Sequence, residues 1–242
     1  MASRTEPLAI WSLVLSIASF LGCLFFTLIP AIICGHLARS RIRKSNGVLQ
    51  GMNLALASLI VAYIQIPIGV LGGIMLADMI RSEVARRHDL ELQKKEIASD
   101  DGKVKITTSG FWVKRSDLNK QASLQAARPD RDDFLIVIGD PKNSVGEMTL
   151  QKHHQLTRDH MLHEMANSSG TDPISITIDG HSALQDELRG RGKGKDLVFL
   201  HTTIDEDESF QQIIAWTVRW RWPKENQELR DVTNSFHSEN QP

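Results

Sequence analysis

Two long apolar segments near the N-terminus dominate the pattern of hydrophobic and polar positions. Residues 8–34 and 52–77 contain no charged side chain, and about 20 apolar residues suffice to cross a hydrocarbon core about 30 Å thick. The pattern therefore predicts two membrane-spanning helices, so that residues 1–77 form a transmembrane helical hairpin. We expect the lipid bilayer to be its environment.

A short basic loop joins the two segments and predicts the membrane topology. It carries Arg39, Arg41, Arg43 and Lys44 and no acidic residue. Loops of this kind stay on the cytoplasmic side, which places both termini on the opposite side of a multi-pass inner-membrane protein. Further basic residues after the second segment weigh against this topology. The loop could also bind anionic lipid head groups, but the topology rule alone accounts for it.

Small residues in the second segment predict helix packing. Gly69 and Gly73 are four residues apart, a spacing that lets two helix backbones approach closely. Packing within the hairpin is the first interpretation, and dimerisation is the alternative. Neither segment carries an ionisable acid or base, which argues against a channel or a pump.

Several short sequences in this region resemble a two-helix bacterial membrane domain of unknown function. They are PLAIWSLVLS at 7–16, PAIICGHLA at 30–38 and LALA at 54–57. The resemblance covers residues 6–77. It implies membrane anchoring in a bacterial envelope protein and carries no activity with it.

A charged segment follows the apolar hairpin. Residues 78–99 contain neither Gly nor Pro and have good helix propensity, so they predict a helical stalk. The run Ser99-Asp100-Asp101-Gly102 breaks this pattern. We therefore place a stalk at 78–102, a folded domain at 103–237 and a disordered tail at 238–242.

The domain alternates between strand and helix patterns. Strands are predicted at 104–106, 111–113, 134–138, 174–178, 183–189, 197–204 and 210–222, and helices at 148–167 and 225–236. Turn residues at 179–180, 190–195 and 205–208 join successive strands. This order predicts an α+β domain with an antiparallel sheet flanked by helices. The last strand would place Ile214, Trp216, Val218, Trp220 and Trp222 on one inward face.

The same domain resembles the PsbP/Mog fold superfamily. The matching sequences are DLNKQASLQ at 117–125, IDGHSA at 178–183 and IIAWT at 213–217, together with 134–138 and 232–236. The resemblance implies an α/β/α sandwich that acts without catalysis in binding or assembly. It transfers no functional residue to this chain.

Charge and cysteine content exclude several kinds of site. Residues 101–242 contain 18 Lys and Arg against 22 Asp and Glu, so the domain does not attract nucleic acid as a whole. Cys23 and Cys34 both lie in the first apolar segment. The domain therefore has no disulfide, thiolate metal site or cysteine nucleophile.

One histidine cluster has the residue types of a metal site. His153, His160 and His163 lie on the first predicted helix of the domain, and imidazoles one turn apart can hold a transition metal. The sequence HEMAN at 163–167 lacks the second histidine of the zincin motif. A solvated helix face with His154 half-buried is the first interpretation.

Basic residues near two turns form a candidate interaction surface, namely Arg191, Lys193, Lys195, Arg219 and Arg221. The glycine-rich turn at 190–195 lacks the spacing of a phosphate loop. It is best interpreted as a hairpin tip that could meet an acidic partner.

These patterns predict a membrane-anchored, non-enzymatic binding or assembly module. We expect no catalytic residue, metal or cofactor, and we expect the extracytoplasmic PsbP-like domain to contact envelope or membrane-complex proteins. The alternative is an envelope hydrolase or metal-dependent enzyme that uses His153, His160 and His163.

Overall fold

The computed structural model describes residues 4–18, 24–45 and 49–239. The chain divides into two compact units, Met1–Ala85 and Arg86–Pro242. Each unit is described by itself below.

The described residues of the N-terminal unit form three helices and one short strand pair. Their bounds are β1 Arg4–Thr5, α1 Pro7–Ala18, α2 Leu24–Lys44, β2 Leu49–Gln50 and α3 Met52–Leu92, whose last residues belong to the C-terminal unit. Helices α1 and α2 pack against each other. Ala9, Ala38 and Ala55 bring all three helices together in one buried cluster.

The prediction of one helix over 8–34 is wrong. Helix α1 ends at Ala18 and α2 begins at Leu24, and residues 19–23 lie outside the described part of the chain. The 12 residues of α1 extend only about 18 Å, less than the thickness of a hydrocarbon core. In the described ranges, Met52–Leu92 is the single helix long and apolar enough to cross a membrane.

The predicted basic loop is not a loop, because Arg39, Arg41, Arg43 and Lys44 belong to the C-terminal part of helix α2. These residues and strand β1 lie at the same end of the N-terminal unit. Strands β1 and β2 pair in parallel, with Arg4 opposite Leu49, and the Glu6 carboxylate lies 3.5 Å from the Arg41 guanidinium. The path of the chain therefore differs from the predicted one, in which a single helix over 8–34 separated the N-terminus from the basic residues. The reason is that α1 and α2 together return the chain to the end of the unit where it began. The prediction instead had residues 8–34 cross the membrane once.

Small and polar side chains mediate the helix contacts. The hydroxyl oxygens of Ser12 and Ser58 are 2.8 Å apart, and a Cβ at Gly35 would lie 2.9 Å from the Leu59 side chain. A Cβ at Gly73 would meet nothing within 4 Å. The packing predicted at Gly69 and Gly73 is therefore not seen at Gly73, and a close approach of helices occurs at Gly35.

The C-terminal unit contains two antiparallel sheets and three further helices. After β3 Lys94–Ala98 and β4 Val104–Ser109 come β5 Val113–Lys114, β6 Leu124–Arg128, β7 Asp133–Pro141, α4 Lys142–Val145, α5 Leu150–Glu164, β8 Ala166–Gly170, β9 Ile174–Ile178, β10 His181–Gly192, β11 Lys195–Asp205, β12 Ser209–Val218, α6 Trp222–Asn234 and β13 His237–Ser238. The large sheet has the order β5-β6-β7-β12-β11-β10-β8, and β9 also pairs with β10.

The smaller sheet, β13-β4-β3, corrects the predicted stalk and tail. The helix ends at Leu92, and 94–98 form a strand paired with β4 instead of continuing the stalk. Residues 99–102 are the turn of this hairpin, with Gly102 at φ +74°, and so they lie inside the unit. Ser238 pairs with Val104, so the order of the chain extends into the predicted tail.

Two predicted turns have the backbone that tight hairpins require. Asp179-Gly180 joins β9 to β10, and Lys193-Gly194 joins β10 to β11. All four residues have positive φ, as in two-residue turns of type I′. The structure therefore confirms hairpin tips at both places.

The large sheet is covered on both faces. One face packs on α6 and the smaller sheet in a core that includes Trp112, Leu200, Ile213 and Leu229. The other face packs on α4 and α5 through Leu150, Leu184 and Phe210. The predicted antiparallel sheet flanked by helices is thus confirmed.

The end of the last strand differs from the prediction. Strand β12 ends at Val218, Trp220 is 73% exposed in the following turn, and Trp222 begins α6. Within β12, the central core takes Ile213 and Ala215. Their neighbours in the strand therefore face α5, because successive side chains of a strand point to opposite sides.

Candidate functional site

Helix α5 places both polar and apolar side chains against one face of the large sheet. The Thr149 side chain accepts a hydrogen bond from the Lys152 amide at 3.3 Å and caps the helix. His154, Thr157 and Arg158 follow at helical spacing and therefore share the face that meets the sheet. His154 is fully buried here, beyond the half-burial that the sequence predicted.

A buried carboxylate, Asp186, forms the centre of this contact. Its Oδ1 lies 3.0 Å from His201 Nδ1 and 3.4 Å from His154 Nε2. Its Oδ2 accepts a hydrogen bond from Arg158 Nε at 2.7 Å. Strands β10 and β11 place Asp186 directly opposite His201 in register. Two strands and one helix are therefore joined through a single side chain.

Two threonines complete the network around Asp186. His154 Nδ1 is 2.9 Å from Thr203 Oγ1, and His201 Nε2 is 3.0 Å from Thr157 Oγ1. The two imidazole rings stack with centroids 4.4 Å apart. Hydrogen bonding on both sides fixes the orientation of the His201 ring.

The electrostatics of the network keep Asp186 ionised. Burial works to raise the pKa of Asp186, but the adjacent imidazoles of His154 and His201 outweigh it and hold that pKa well below its usual range. Burial lowers the pKa of His201, and the Asp186 carboxylate opposes this only in part. The network therefore consists of one ionised carboxylate, that of Asp186, held by hydrogen-bond donors from helix α5 and strand β11.

A second polar contact continues the network toward β7. His153 Nε2 lies 3.1 Å from Asp140 Oδ2, which also accepts a 2.5 Å hydrogen bond from Gln212 Nε2. The His153 ring stacks on Phe210 at 4.5 Å. Burial lowers the pKa of His153 against the influence of Asp140.

Beside this network, an open cleft of about 510 Å³ separates α5 from the sheet, and we term it the α5 cleft. Its walls are apolar, with Ile138, Leu156, Met161, Phe199 and Ile214 among the lining side chains. Its polar lining includes Asp140, Thr157, His160, Glu164 and Gln212. An apolar cavity of this volume with a few polar groups is typical of a binding site.

The predicted metal-ligand set is not brought together. His153 is buried against Phe210, His160 is exposed at the α5 cleft, and His163 is exposed on α5. Among the described residues, the groups whose ligand atoms all lie within 4.8 Å are His154, Asp186 and His201, and Asp133, Glu225 and Glu228. The hypothesis of a metal site at His153, His160 and His163 is therefore wrong.

Two acidic residues of the second group, Glu225 and Glu228, lie in a network with two arginines, whereas the buried Asp133 carboxylate has no hydrogen-bond partner among the described residues. Arg128 is fully buried and donates hydrogen bonds to Glu228 at 2.6 Å and to Glu91 at 2.7 Å. Arg131 lies 2.8 Å from Glu225. These arginines hold the last turn of α3 and helix α6 to strand β6.

The predicted basic surface gathers at one end of the large sheet. Arg191, Lys193 and Lys195 lie at the β10–β11 hairpin tip, and the Arg219 amide donates to the Asp196 carbonyl beside it. Arg221 lies over the Trp220 ring at 4.6 Å. The sequence did not single out Arg189, which lines a cavity here together with Arg191 and Arg219.

Sequence reasoning missed Asp186, His201, Arg158 and Thr203. A signal for Asp186 is present, because Leu184 and Leu188 alternate with it and predict an inward position. A charged residue at such a position needs a buried partner. The identity of that partner depends on strand register, which the sequence does not give.

Comparisons with known proteins match one family model. Residues 8–72 match the family model of a domain of unknown function, DUF4190. No curated protein matches the chain.

Several solved structures are similar to this chain at low sequence identity. A cyanobacterial PsbP from Synechocystis is 13% identical, covers 60% of this chain and 92% of its own, and has a TM-score of 0.45. The Saccharomyces cerevisiae Ran-binding protein Mog1p is 12% identical, and the match covers 60% of this chain and 95% of Mog1p with a TM-score of 0.46. LpqN of Mycobacterium tuberculosis, described as involved in cell envelope biogenesis, is 17% identical. That match covers 59% of this chain and 86% of LpqN with a TM-score of 0.41.

Proposed function

We propose that this chain is a membrane-anchored binding module that recognises a segment of another membrane or envelope protein in the α5 cleft. The observation that carries the proposal is the α5 cleft itself. Its apolar and polar lining is open at the surface, next to a buried network that holds its shape.

The chemistry of the α5 cleft favours an occupant with apolar side chains and backbone amides. Leu156 on its rim is 59% exposed, so that binding would remove a large apolar side chain from water. Asp140 and Glu164 provide acceptors for amide donors, and Gln212 provides both a donor and an acceptor. A peptide segment offers both kinds of group.

Burial of the ionisable groups in the Asp186 network favours a structural role for that network over a catalytic one. Asp186, His154 and His201 are almost wholly inaccessible, and Arg158 and two threonines use their hydrogen-bonding capacity. A general acid or base has to reach a substrate. In our proposal the network stabilises the contact between α5 and the sheet and thereby preforms the α5 cleft.

Helix α3 is the proposed membrane anchor. Ile60, Ile64, Ile68, Leu71 and Ile74 are each more than half exposed along it. A continuous apolar surface of this size requires a cover, and a helix of 41 residues is long enough for a bilayer to provide it. Because α1 and α2 return to the side where they began, we propose one full span with a shorter helical hairpin beside it.

The basic residues at 39–44 set the proposed orientation. Arg39, Arg41, Arg43 and Lys44 favour the cytoplasmic side of a bacterial inner membrane, and the N-terminus lies beside them. A single span by α3 then leads to an extracytoplasmic C-terminal unit. This retains the location predicted from the sequence, but with a different path of the chain.

Site-specific photo-crosslinking in the membrane tests this function. A photoreactive residue at Leu156 of the full chain should give one protein adduct of defined mass. Ile174 is 55% exposed and lies outside the α5 cleft, so the same residue there is the matched control. The change Met161→Gln should weaken the Leu156 adduct while thermal unfolding stays the same.

Two results would contradict the proposal. One is equal crosslinking from Leu156 and Ile174, which would indicate random encounters. The other is an adduct with a lipid or small molecule only, which would make the α5 cleft a small-ligand site.

A further inference from the structure

Six basic side chains lie together at one end of the large sheet, which we term the basic end. It comprises Arg189, Arg191, Lys193, Lys195, Arg219 and Arg221, near the β10–β11 turn and the end of β12. The domain that carries it has more acidic than basic residues, 22 against 18 in 101–242. The local positive charge therefore opposes the net charge of its own domain.

A polar cavity of about 360 Å³ lies within the basic end. Arg189, Arg191 and Arg219 line it, and Asn167 and Ser169 of strand β8 add a side-chain amide and a hydroxyl. Guanidinium groups match the oxygen pairs of a phosphate in geometry and charge. Three of them around one cavity make an anion the chemically matched ligand.

Acidic neighbours neutralise only part of this charge. Arg189 Nη2 donates to Glu187 at 3.2 Å, and Glu187 is also bonded by Arg230 at 2.6 Å. Arg191 lies 3.8 Å from Asp196, which also lines the cavity, and both side chains are more than half exposed. No ion pair of Arg219, Lys193 or Lys195 occurs among the described residues.

An exposed tryptophan adjoins the cavity and indicates which class of molecule bears the anionic group. Trp220 is 73% exposed, and the Arg221 guanidinium lies 4.6 Å from its ring centroid. Trp220, Lys195 and Arg219 line a second cleft of about 440 Å³ on the same end, together with Asp132. An indole among cations is typical of a surface that enters the head-group region of a bilayer.

We infer that the basic end binds the phosphate of anionic lipid head groups, with Arg189, Arg191 and Arg219 around the phosphate and Trp220 among the adjoining lipid groups. This activity is independent of the α5 cleft, which lies beside α5 and uses different residues. It would give the domain a second attachment to a membrane surface.

Vesicle capture tests the inference with the full chain. The protein is placed in nanodiscs of phosphatidylcholine, and the probes are vesicles of phosphatidylcholine with or without phosphatidylglycerol. We expect anionic vesicles to be captured at least about tenfold more strongly, because each cation near such a surface adds to binding. Arg189→Gln combined with Arg219→Gln should remove most of this difference.

Control variants separate the site from general charge and from misfolding. Lys120→Gln removes an exposed lysine outside the basic end and should leave capture unchanged. Trp220→Ala should reduce capture while its thermal unfolding stays that of the parent chain. Equal capture of neutral vesicles, or full capture by the double arginine variant, would overturn the inference.

Competition distinguishes a head group from other anions. Glycerol phosphate should displace anionic vesicles only weakly, because it lacks the lipid contacts of Trp220. Full displacement by glycerol phosphate at low concentration would identify a site for a free phosphate compound. Equal displacement by polyglutamate would identify a docking surface for an acidic protein instead, and either result would overturn the lipid assignment.

Discussion

The imidazole of His201 and the carboxylate of Asp186 lie 3.0 Å apart, opposite each other on neighbouring strands, and both side chains are fully buried. Arg158 approaches the same carboxylate from helix α5 at 2.7 Å. One ionised side chain therefore holds α5 against the sheet. Because the α5 cleft lies along this contact, its shape depends on the pair.

Replacement of Asp186 tests this dependence. Asp186→Asn leaves Arg158 without its buried carboxylate, and breaking such a pair costs about 3–5 kcal/mol of unfolding free energy. The measurement is chemical unfolding of the full chain in detergent, followed by tryptophan fluorescence. Asp159→Asn changes an exposed acid on the same helix and should alter stability by less than about 0.5 kcal/mol.

Metal removal distinguishes the structural network from a metal centre. His154, Asp186 and His201 have ligand atoms close enough for a metal, but in our proposal Arg158 already satisfies the carboxylate. Dialysis against EDTA should therefore leave the thermal midpoint unchanged. Loss of stoichiometric zinc together with a lower midpoint would assign these residues to a metal site.

The stability of the C-terminal unit should depend on Asp133 at neutral pH. Burial, with Glu225 and Glu228 nearby, raises the pKa of Asp133 to about 7 against the opposing effects of Thr217 and Arg128. Between about pH 4 and pH 7 the folded state holds a proton that the unfolded chain has lost. The contribution of this group is therefore favourable at pH 5 and is lost as the pH rises through 7.

Asp133→Asn should remove this pH dependence. The stability of the variant relative to the parent should increase by about 3 kcal/mol between pH 5 and pH 8. The measurement is denaturant unfolding at both pH values, and the buried histidines cancel because both proteins contain them. Asp132→Asn, in the same turn, is the control. A constant difference for Asp133→Asn would show that Asp133 does not titrate in this range.

Packing of the N-terminal helices depends on Gly35. A side chain there would press on Leu59, so Gly35→Val should destabilise the helical unit by about 1–3 kcal/mol. Gly73→Val makes the same change where a Cβ meets open space. Circular dichroism in detergent with increasing SDS should separate the two variants, and equal loss of helix would contradict the packing described here.

Sidedness distinguishes the proposed path of the chain from a two-span hairpin. In a background without Cys23 and Cys34, a cysteine at Ser40 and an N-terminal tag should be accessible from the cytoplasmic side only. A reporter after Pro242 that is active only outside the cytoplasm should be active. An N-terminal tag accessible from outside would restore the two-span hairpin, and a silent, well-expressed reporter would place the C-terminal unit in the cytoplasm.

Local patterns predicted much of the C-terminal unit. The turns Asp179-Gly180 and Lys193-Gly194 contain residues that tolerate positive φ, and they fixed two hairpins. Strand 134–138 and the two helices also followed from apolar spacing. Strand β6 was missed because Gln125 and Arg128 look like surface residues, although both are buried. Their partners Asn119 and Glu228 become visible only in the folded chain.

Composition, spacing and turn residues act over a few positions, and they were enough to predict the apolar helix α3, the basic cluster at 39–44 and the antiparallel strands. Tertiary contacts were needed to show that α1 packs against α2, that Asp186 meets His201 and Arg158, and that Arg189 and Arg219 line one cavity. These are contacts between residues far apart along the chain. Strand register and helix packing select them, and neither is encoded in any short stretch of sequence.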